Sequence, residues 1–291
     1  MIKKIYQRVS RIMKNFCRSL KKEVPIYIPV FQGELLKNRV ALITGGTKGI
    51  GYAMAESFLK NKATVIITGR SDESVKKAVQ SLMNDSAIKD RIFGIVMDNT
   101  NVSKFQEKFD GILKLIYPKN VDILVNNAGV IKGGSVGHFD EDGFNETLNV
   151  NLKAPAMLSE IVAKYMKNNK IQGNILNVCS SSSLRPAVSP YTMTKWGMRG
   201  LTKGFAKAFI PYGIVVNGIA PGPTATPMLI SDGYDGIELQ TNPTGRYATA
   251  QEIANMATIL VSGMGRMIVG DVLYMTGGAG VFTYDDMEYN F

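Results

Sequence analysis

The chain has 291 residues, 45% of them hydrophobic and 20% charged, which suits one domain with a substantial core. Its two cysteines, Cys17 and Cys179, and single histidine, His138, exclude a disulfide framework, a Cys/His zinc site and a Ser/His hydrolase, and point to a reducing cytoplasm. The formal charge is +10, but the basic residues are not interleaved with a nucleic-acid reader motif, so nucleic-acid binding is not expected.

Most of that charge sits at the start. Residues 1–24 carry eight basic side chains against Glu23 alone, or +7 of the total. Ile2, Ile5, Val9, Ile12, Met13, Phe16 and Leu20 recur there at helical spacing, which predicts a basic amphipathic helix. Such a helix could lie on an anionic membrane surface, dock on an acidic partner, or pack on its own or a neighbouring subunit. Its apolar runs are at most two residues long, too short for a signal-peptide core or a membrane span. Pro25-Ile-Tyr-Ile-Pro29 follows as an extended connector.

From residue 40 onward, strand-like and helical runs alternate, the pattern of a doubly wound parallel sheet. Val40-Ala-Leu-Ile43 is a buried-type strand, and Tyr52 to Leu59 has helical periodicity. Between them lies Thr44-Gly-Gly-Thr-Lys-Gly-Ile-Gly51. Gly45, Gly49 and Gly51 allow a tight turn and a close backbone approach to a pyrophosphate at a helix N-terminus. The run lacks the Gly-Lys-Ser/Thr ending of a mononucleotide loop, so a nucleoside triphosphatase is not expected. The second strand, Ala63 to Thr68, leads to Gly69-Arg70, with no acid to meet bare ribose hydroxyls. Arg70 offers a bidentate fork to a 2′-phosphate and Lys48 a second cation, which favours NADP(H) over NAD(H).

Further strands are expected at Ile92–Met97, Ile123–Val125, Ile175–Val178, Ile214–Val216 and Val272–Tyr274, with helices over Val102–Leu115 and Gln251–Leu260. Tyr191-Thr-Met-Thr-Lys195 places a tyrosine and a lysine at i and i+4 on one helix face. A free phenol titrates near 10, and a neighbouring ammonium and a nicotinamide cation favour its phenolate. Cys179 reads as a small buried residue rather than a nucleophile.

Taken together, these motifs resemble the short-chain dehydrogenase/reductase family in its single-domain branch, similar to 3-oxoacyl-carrier-protein reductases, over roughly residues 38–279. The resemblance rests on the glycine pattern, Asn126-Asn-Ala-Gly129, Asn151 in Val150-Asn-Leu152, Ser180, the Tyr191/Lys195 pair, Pro221-Gly222 with Thr226, Gly245-Arg246 and Gly277-Gly278. It implies a Rossmann-type domain over 38–291, preceded by an extension and connector over 1–37. It also implies Tyr191 as general acid/base, Lys195 as its electrostatic partner and ribose contact, and Ser180 as donor to the substrate oxygen. Asn151 would kink its helix and hold a relay water. The dinucleotide would be held by Gly45, Thr47, Lys48, Gly49, Ile50, Gly51, Arg70, Asp98, Asn99, Asn126, Ala128, Gly129, Tyr191, Lys195, Pro221, Gly222, Thr224 and Thr226.

One spacing departs from the family, which usually sets serine and tyrosine thirteen positions apart. Here Ser180 and Tyr191 are 11 apart, so the loop Leu184–Pro190 is two residues short, and Ser181, Ser182 and Ser183 compete for the serine role. Ala225 to Tyr247 should fold over the nicotinamide, with Met228, Leu229, Ile230, Tyr234, Ile237 and Leu239 either lining a pocket or packing as a helix core. The tail from Tyr284 to Phe291 could close the pocket or reach a neighbour. The reading is an NADP(H)-dependent oxidoreductase acting on a small-molecule carbonyl or secondary alcohol, with 3-oxoacyl thioesters, sugars and polyols as candidate substrates. A dinucleotide-binding scaffold or redox sensor is the alternative. A homo-oligomer is implied through the helices ending near Lys167 and Phe209.

Overall fold

A computed structural model describes residues 33–83, 86–226 and 237–280. The basic segment 1–24, the connector after it, Met228, Leu229, Ile230, Tyr234 and the tail from Tyr284 lie outside the described residues.

The alternation read from the sequence produces a seven-stranded parallel sheet in the order β3-β2-β1-β4-β5-β6-β9. Its strands are β1 (Val40–Ile43), β2 (Thr64–Gly69), β3 (Ile92–Val96), β4 (Ile123–Asn126), β5 (Asn174–Val178), β6 (Val215–Pro221) and β9 (Val272–Met275). A short pair, β7 (Thr224–Ala225) and β8 (Ala248–Thr249), runs alongside. Parallel neighbours need long crossovers. These are supplied by α1 (Gly49–Lys60), α2 (Asp72–Leu82), α3 (Phe105–Ile116), α4 (Glu141–Leu148), α5 (Ala154–Asn168), α6 (Pro190–Phe209) and α7 (Ala250–Val261).

Helices on both faces bury both sides of the strands, which is why β1 and β4 read as unbroken apolar runs. Ala41 and Ile43 face a core with Met54 and Phe58 of α1 and Ile253 and Leu260 of α7. Val40 and Leu42 point the other way, into a core with Phe105, Phe109 and Ile112 of α3 and Leu158 and Val162 of α5. At the base of the sheet, Arg39 fastens three strands together. Its Nε lies 2.5 Å from Asp122 Oδ2 and its Nη2 donates to Asn174 Oδ1 at 2.9 Å, while Val40 N donates to Asp122 Oδ1 at 2.8 Å. Burial pushes the Asp122 carboxyl up, and the Arg39 guanidinium opposes that rise.

Two elements differ from expectation. The predicted helix over Val102–Leu115 opens as a tight turn, Val102–Lys104, before α3 begins at Phe105. Strand β6 runs on to Pro221 rather than ending at Val216. Its polar and small residues hid the extension: Asn217 Nδ2 donates to Ile268 O at 2.5 Å, and Gly218 lies under Val272 and Cys179.

Strand order reverses between β1 and β4, since β1 pairs with both β2 and β4. The connections leaving these two strands diverge at their carboxyl ends, and the crevice they open is where doubly wound sheets bind ligands.

Candidate active site

The glycine turn follows β1 directly, and packing dictates its residues. Gly45 has φ +64, and a Cβ there would lie 2.9 Å from Ala128 Cα. At Gly51 a Cβ would lie 2.3 Å from Asn127 Nδ2. Asn127 locks the two loops together, donating from Nδ2 to the carbonyls of Thr44 and Gly45, both at 2.9 Å. Thr44 Oγ1 accepts the amides of Asn127 and Ala128 in return. Helix α1 then begins with Lys48 at its N-cap, and no side chain caps its first turn. Those amides stay available to an anion, and they carry the positive end of the helix dipole.

A cleft of about 950 Å³ opens over this turn, lined from one end to the other by the two motifs. Gly45, Thr47, Lys48, Gly49, Ile50, Arg70, Asp98, Asn99, Ala128, Gly129, Ser180, Tyr191, Lys195, Pro221, Gly222, Thr224 and Thr226 all border it. Three expected residues do not. Asn126 points into the sheet, donating to Ser159 Oγ at 2.9 Å and Asn177 Oδ1 at 2.8 Å, and its neighbour Asn127 takes the place at the cleft. Gly51 sits behind the turn, against Asn127. Asn151 is buried beside the cleft rather than in it.

Asn151 nonetheless occupies an irregular place in the fold. It lies in a π-helical turn, Asn149–Lys153, inserted between α4 and α5, and such turns locally disrupt the regular helix ladder. Its side chain is spent on positioning. Oδ1 accepts from Val130 N at 2.8 Å, and Nδ2 donates to Val130 O at 2.9 Å and Thr194 Oγ1 at 3.3 Å. The loop after β4 is thereby fixed to the helix that bears the tyrosine.

That helix, α6, starts in a capping box formed by Ser189 and Thr192, with Pro190 in its first turn. A well-fixed start holds Tyr191 at the cleft. One turn further on, Lys195 lies buried with its Nζ 5.5 Å from the Tyr191 ring centroid. Its ammonium donates to Val178 O at 2.8 Å, and no carboxylate pairs with it among the described residues. A desolvated cation of this kind is costly to maintain, which fits a place where it stabilises developing negative charge. Beside it, burial pushes the Cys179 thiol up while the Lys195 cation opposes the rise; Cys179 remains an inert packing residue.

The serine run divides by geometry. Ser183 is fully buried and hydrogen-bonded to Ser180 O at 2.8 Å and Tyr274 Oη at 3.0 Å, which removes it from the cleft. Ser180, Ser181 and Ser182 remain on the lining. Ser180 Oγ accepts from Ser182 N at 3.1 Å, so its own hydroxyl proton is free to be donated into the cleft.

At the far end, sequence reasoning missed Ser71 and Ser74, which join Arg70 and Lys48 on the lining. Ser71 is the N-cap of α2, its Oγ accepting from Ser74 N. The cap-type serine next to Arg70 was the available signal. Arg70 lies at the 4.0 Å limit of an ion pair with Glu146, whose tighter partner is Lys132 at 2.6 Å. The segment from Ala225 to Tyr247 is described only in part: Glu238 and Arg246 form an antiparallel bridge, and Arg246 grips Glu252 through two contacts at 2.7 and 2.9 Å. That grip and the Thr249 amide hold the Glu252 carboxyl at about 2.

Comparisons with known proteins agree with this geometry. The short chain dehydrogenase family matches residues 39–235. The 3-oxoacyl-acyl-carrier-protein reductase of Aquifex aeolicus is 32% identical over 247 residues, covering 84% of this chain and 98% of the relative. Gluconate 5-dehydrogenase of Gluconobacter oxydans is 32% identical over 82% of this chain and 93% of the relative. Among solved structures, a gluconate 5-dehydrogenase from Burkholderia cenocepacia in complex with NADP and tartrate superposes with a TM-score of 0.75 at 28% identity, over 84% of this chain and 97% of that one. With its parallel sheet, switch-point cleft and paired motifs, the chain belongs to the short chain dehydrogenase family and is an oxidoreductase acting on a CH–OH or C=O group.

Proposed function

We propose that the protein is an NADP(H)-dependent oxidoreductase that interconverts a small-molecule carbonyl and its secondary alcohol, with Tyr191 as the general acid/base. The observation that carries this reading is the buried Lys195 ammonium, with no carboxylate partner among the described residues, one helical turn from Tyr191 and in the same cleft as an uncapped helix N-terminus and glycine turn.

The residues present fit a nicotinamide dinucleotide. The first-turn amides of α1 would receive its pyrophosphate, Asp98 and Asn99 would flank the adenine, and Lys195 would reach the nicotinamide ribose. When bound in reduced form, the group supplies a hydride to the substrate carbon. Tyr191 then delivers its phenolic proton to the carbonyl oxygen, and Ser180 donates a hydrogen bond to that oxygen as negative charge grows on it. Lys195 stabilises the resulting phenolate. In the oxidative direction the same atoms run in reverse. Asn151 is a positioning residue that holds Val130 and α6 in register.

NADP(H) is preferred because Arg70 and Lys48 bring two cations to the lining where the extra phosphate would lie, beside Ser71 and Ser74, whose hydroxyls bond to one another and to Ser71 O. Two solved relatives named as complexes with NADP support this choice. Arg70→Ala should weaken NADPH binding about tenfold or more, the worth of a charge-assisted hydrogen bond, and leave NADH binding nearly unchanged. Fluorescence titration of both cofactors checks it, and equal losses would remove Arg70 from the phosphate site. The relatives named above point to an acyl thioester or a sugar acid as the substrate type.

The protein assembles as a homo-oligomer through α5 and α6, whose outward faces expose Met157 and Trp196 beside an apolar groove lined by Leu152, Ala156, Gly197 and Leu201. Light scattering at micromolar concentration should show a dimer or tetramer. A monomer would overturn this.

A further inference from the structure

Among the described residues, five charged side chains line the cleft: Lys48, Arg70, Asp98, Lys195 and Arg185. The first three surround the adenosine end of the proposed dinucleotide site, and Lys195 serves Tyr191. Arg185 has no such duty. It stands at the catalytic end with Ser180, Ser181, Ser182 and Tyr191, while Val130 and Ile131 supply apolar lining.

Its backbone is held firmly. The Arg185 carbonyl accepts from Trp196 Nε1 at 2.7 Å, and its amide donates to Ser182 O at 3.3 Å. Trp196 follows Lys195 on α6, so the helix that positions the acid/base pair also positions Arg185. The side chain runs close to Gly280, where a Cβ would make an ordinary van der Waals contact with Arg185 Nε at 4.0 Å. Among the described residues, Arg185 makes no ion pair, and the only carboxylate on the cleft lining is Asp98. Arg246, by contrast, is half-buried and held in a two-contact pair by Glu252. A guanidinium with no carboxylate partner among the described residues presents a planar fork suited to carboxylate or phosphate.

We propose that Arg185 anchors an anionic group of the substrate, so that this enzyme selects oxo or hydroxy compounds bearing a carboxylate or phosphate over neutral ones. The proposal rests on the oxidoreductase reading and adds the substrate class to it. Arg185 works at binding: its fork fixes the anion, and the carbonyl is thereby directed to Ser180 and Tyr191. Its loss should raise KM and leave the chemical step largely intact.

The test uses the full chain with NADPH and a panel of oxo acids, each paired with its methyl ester, and of sugar phosphates paired with the free sugars. Each pair shares its carbonyl and differs in charge. The wild-type protein should prefer the charged member at least tenfold in kcat/KM. Arg185→Ala should erase that preference, lowering kcat/KM for the charged member ten- to a hundredfold mainly through KM, with the neutral member little changed. Arg185→Lys should restore part of it, since the charge returns without the fork. No preference for charged members in the wild type, or the same preference surviving in Arg185→Ala, overturns the proposal. NADPH titration of both variants runs in parallel. Unchanged cofactor binding with lost charge selectivity supports Arg185 as the anchor, whereas absent cofactor binding in the wild type fails the oxidoreductase reading itself.

Discussion

Tyr191→Phe should abolish turnover, lowering kcat by roughly 10²–10⁴-fold, the range that a positioned general acid supplies, while leaving nicotinamide binding within about twofold. The substitution removes only the hydroxyl. Tyr191 sits in the first turn of α6, where the capping box is formed by Ser189 and Thr192 and the Tyr191 carbonyl accepts from Thr194 Oγ1 at 2.7 Å. None of these contacts involves the phenol oxygen, so the helix and the cleft survive the change. Steady-state kinetics beside a cofactor titration separates the two effects. Turnover that persisted in this variant would favour a dinucleotide-binding scaffold whose activity resides elsewhere.

Lys195→Met is the second large effect, and its signature differs. Methionine fills a similar volume without charge, and burial of Lys195 was a cost to the fold rather than a gain, so the variant should remain folded. Catalysis should fall by about 10²–10³-fold, the share of acid/base tuning that Lys195 provides through Tyr191. Cofactor affinity should fall as well, since the Lys195 ammonium is expected at the nicotinamide ribose. Steady-state kinetics and a cofactor titration on the folded variant, with its fold checked by circular dichroism, read both. An unchanged rate with unchanged cofactor affinity would detach Lys195 from the chemistry.

How far the sequence carried these assignments depended on the kind of information each residue encodes. Strands β1 and β4 were legible because burial on both faces demands unbroken apolar runs. The glycine turn was legible because positive φ at Gly45 and Gly49 and close packing at Gly51 leave no other residue type comfortable. Tyr191 and Lys195 were legible because i and i+4 share a helix face.

Asn126 and Asn127 show where that stops. Adjacent residues at a strand end point to opposite sides, and the sequence alone does not say which of two asparagines meets the cleft. Ser183 was indistinguishable from its three neighbours until Tyr274, 91 positions away, was seen to engage it. Arg185 belongs with these. A cation in a short polar loop carries no mark of function until the fold sets it on the same cleft as Tyr191, with no ion pair among the described residues.

The most direct measurement on the central claim is titration of the purified protein with NADPH and NADH, followed by fluorescence, and then addition of the carbonyl panel while NADPH consumption is recorded. The account predicts NADPH binding tighter than NADH binding, and NADPH oxidation that depends on both a carbonyl compound and Tyr191. Failure to bind either nicotinamide cofactor would contradict it.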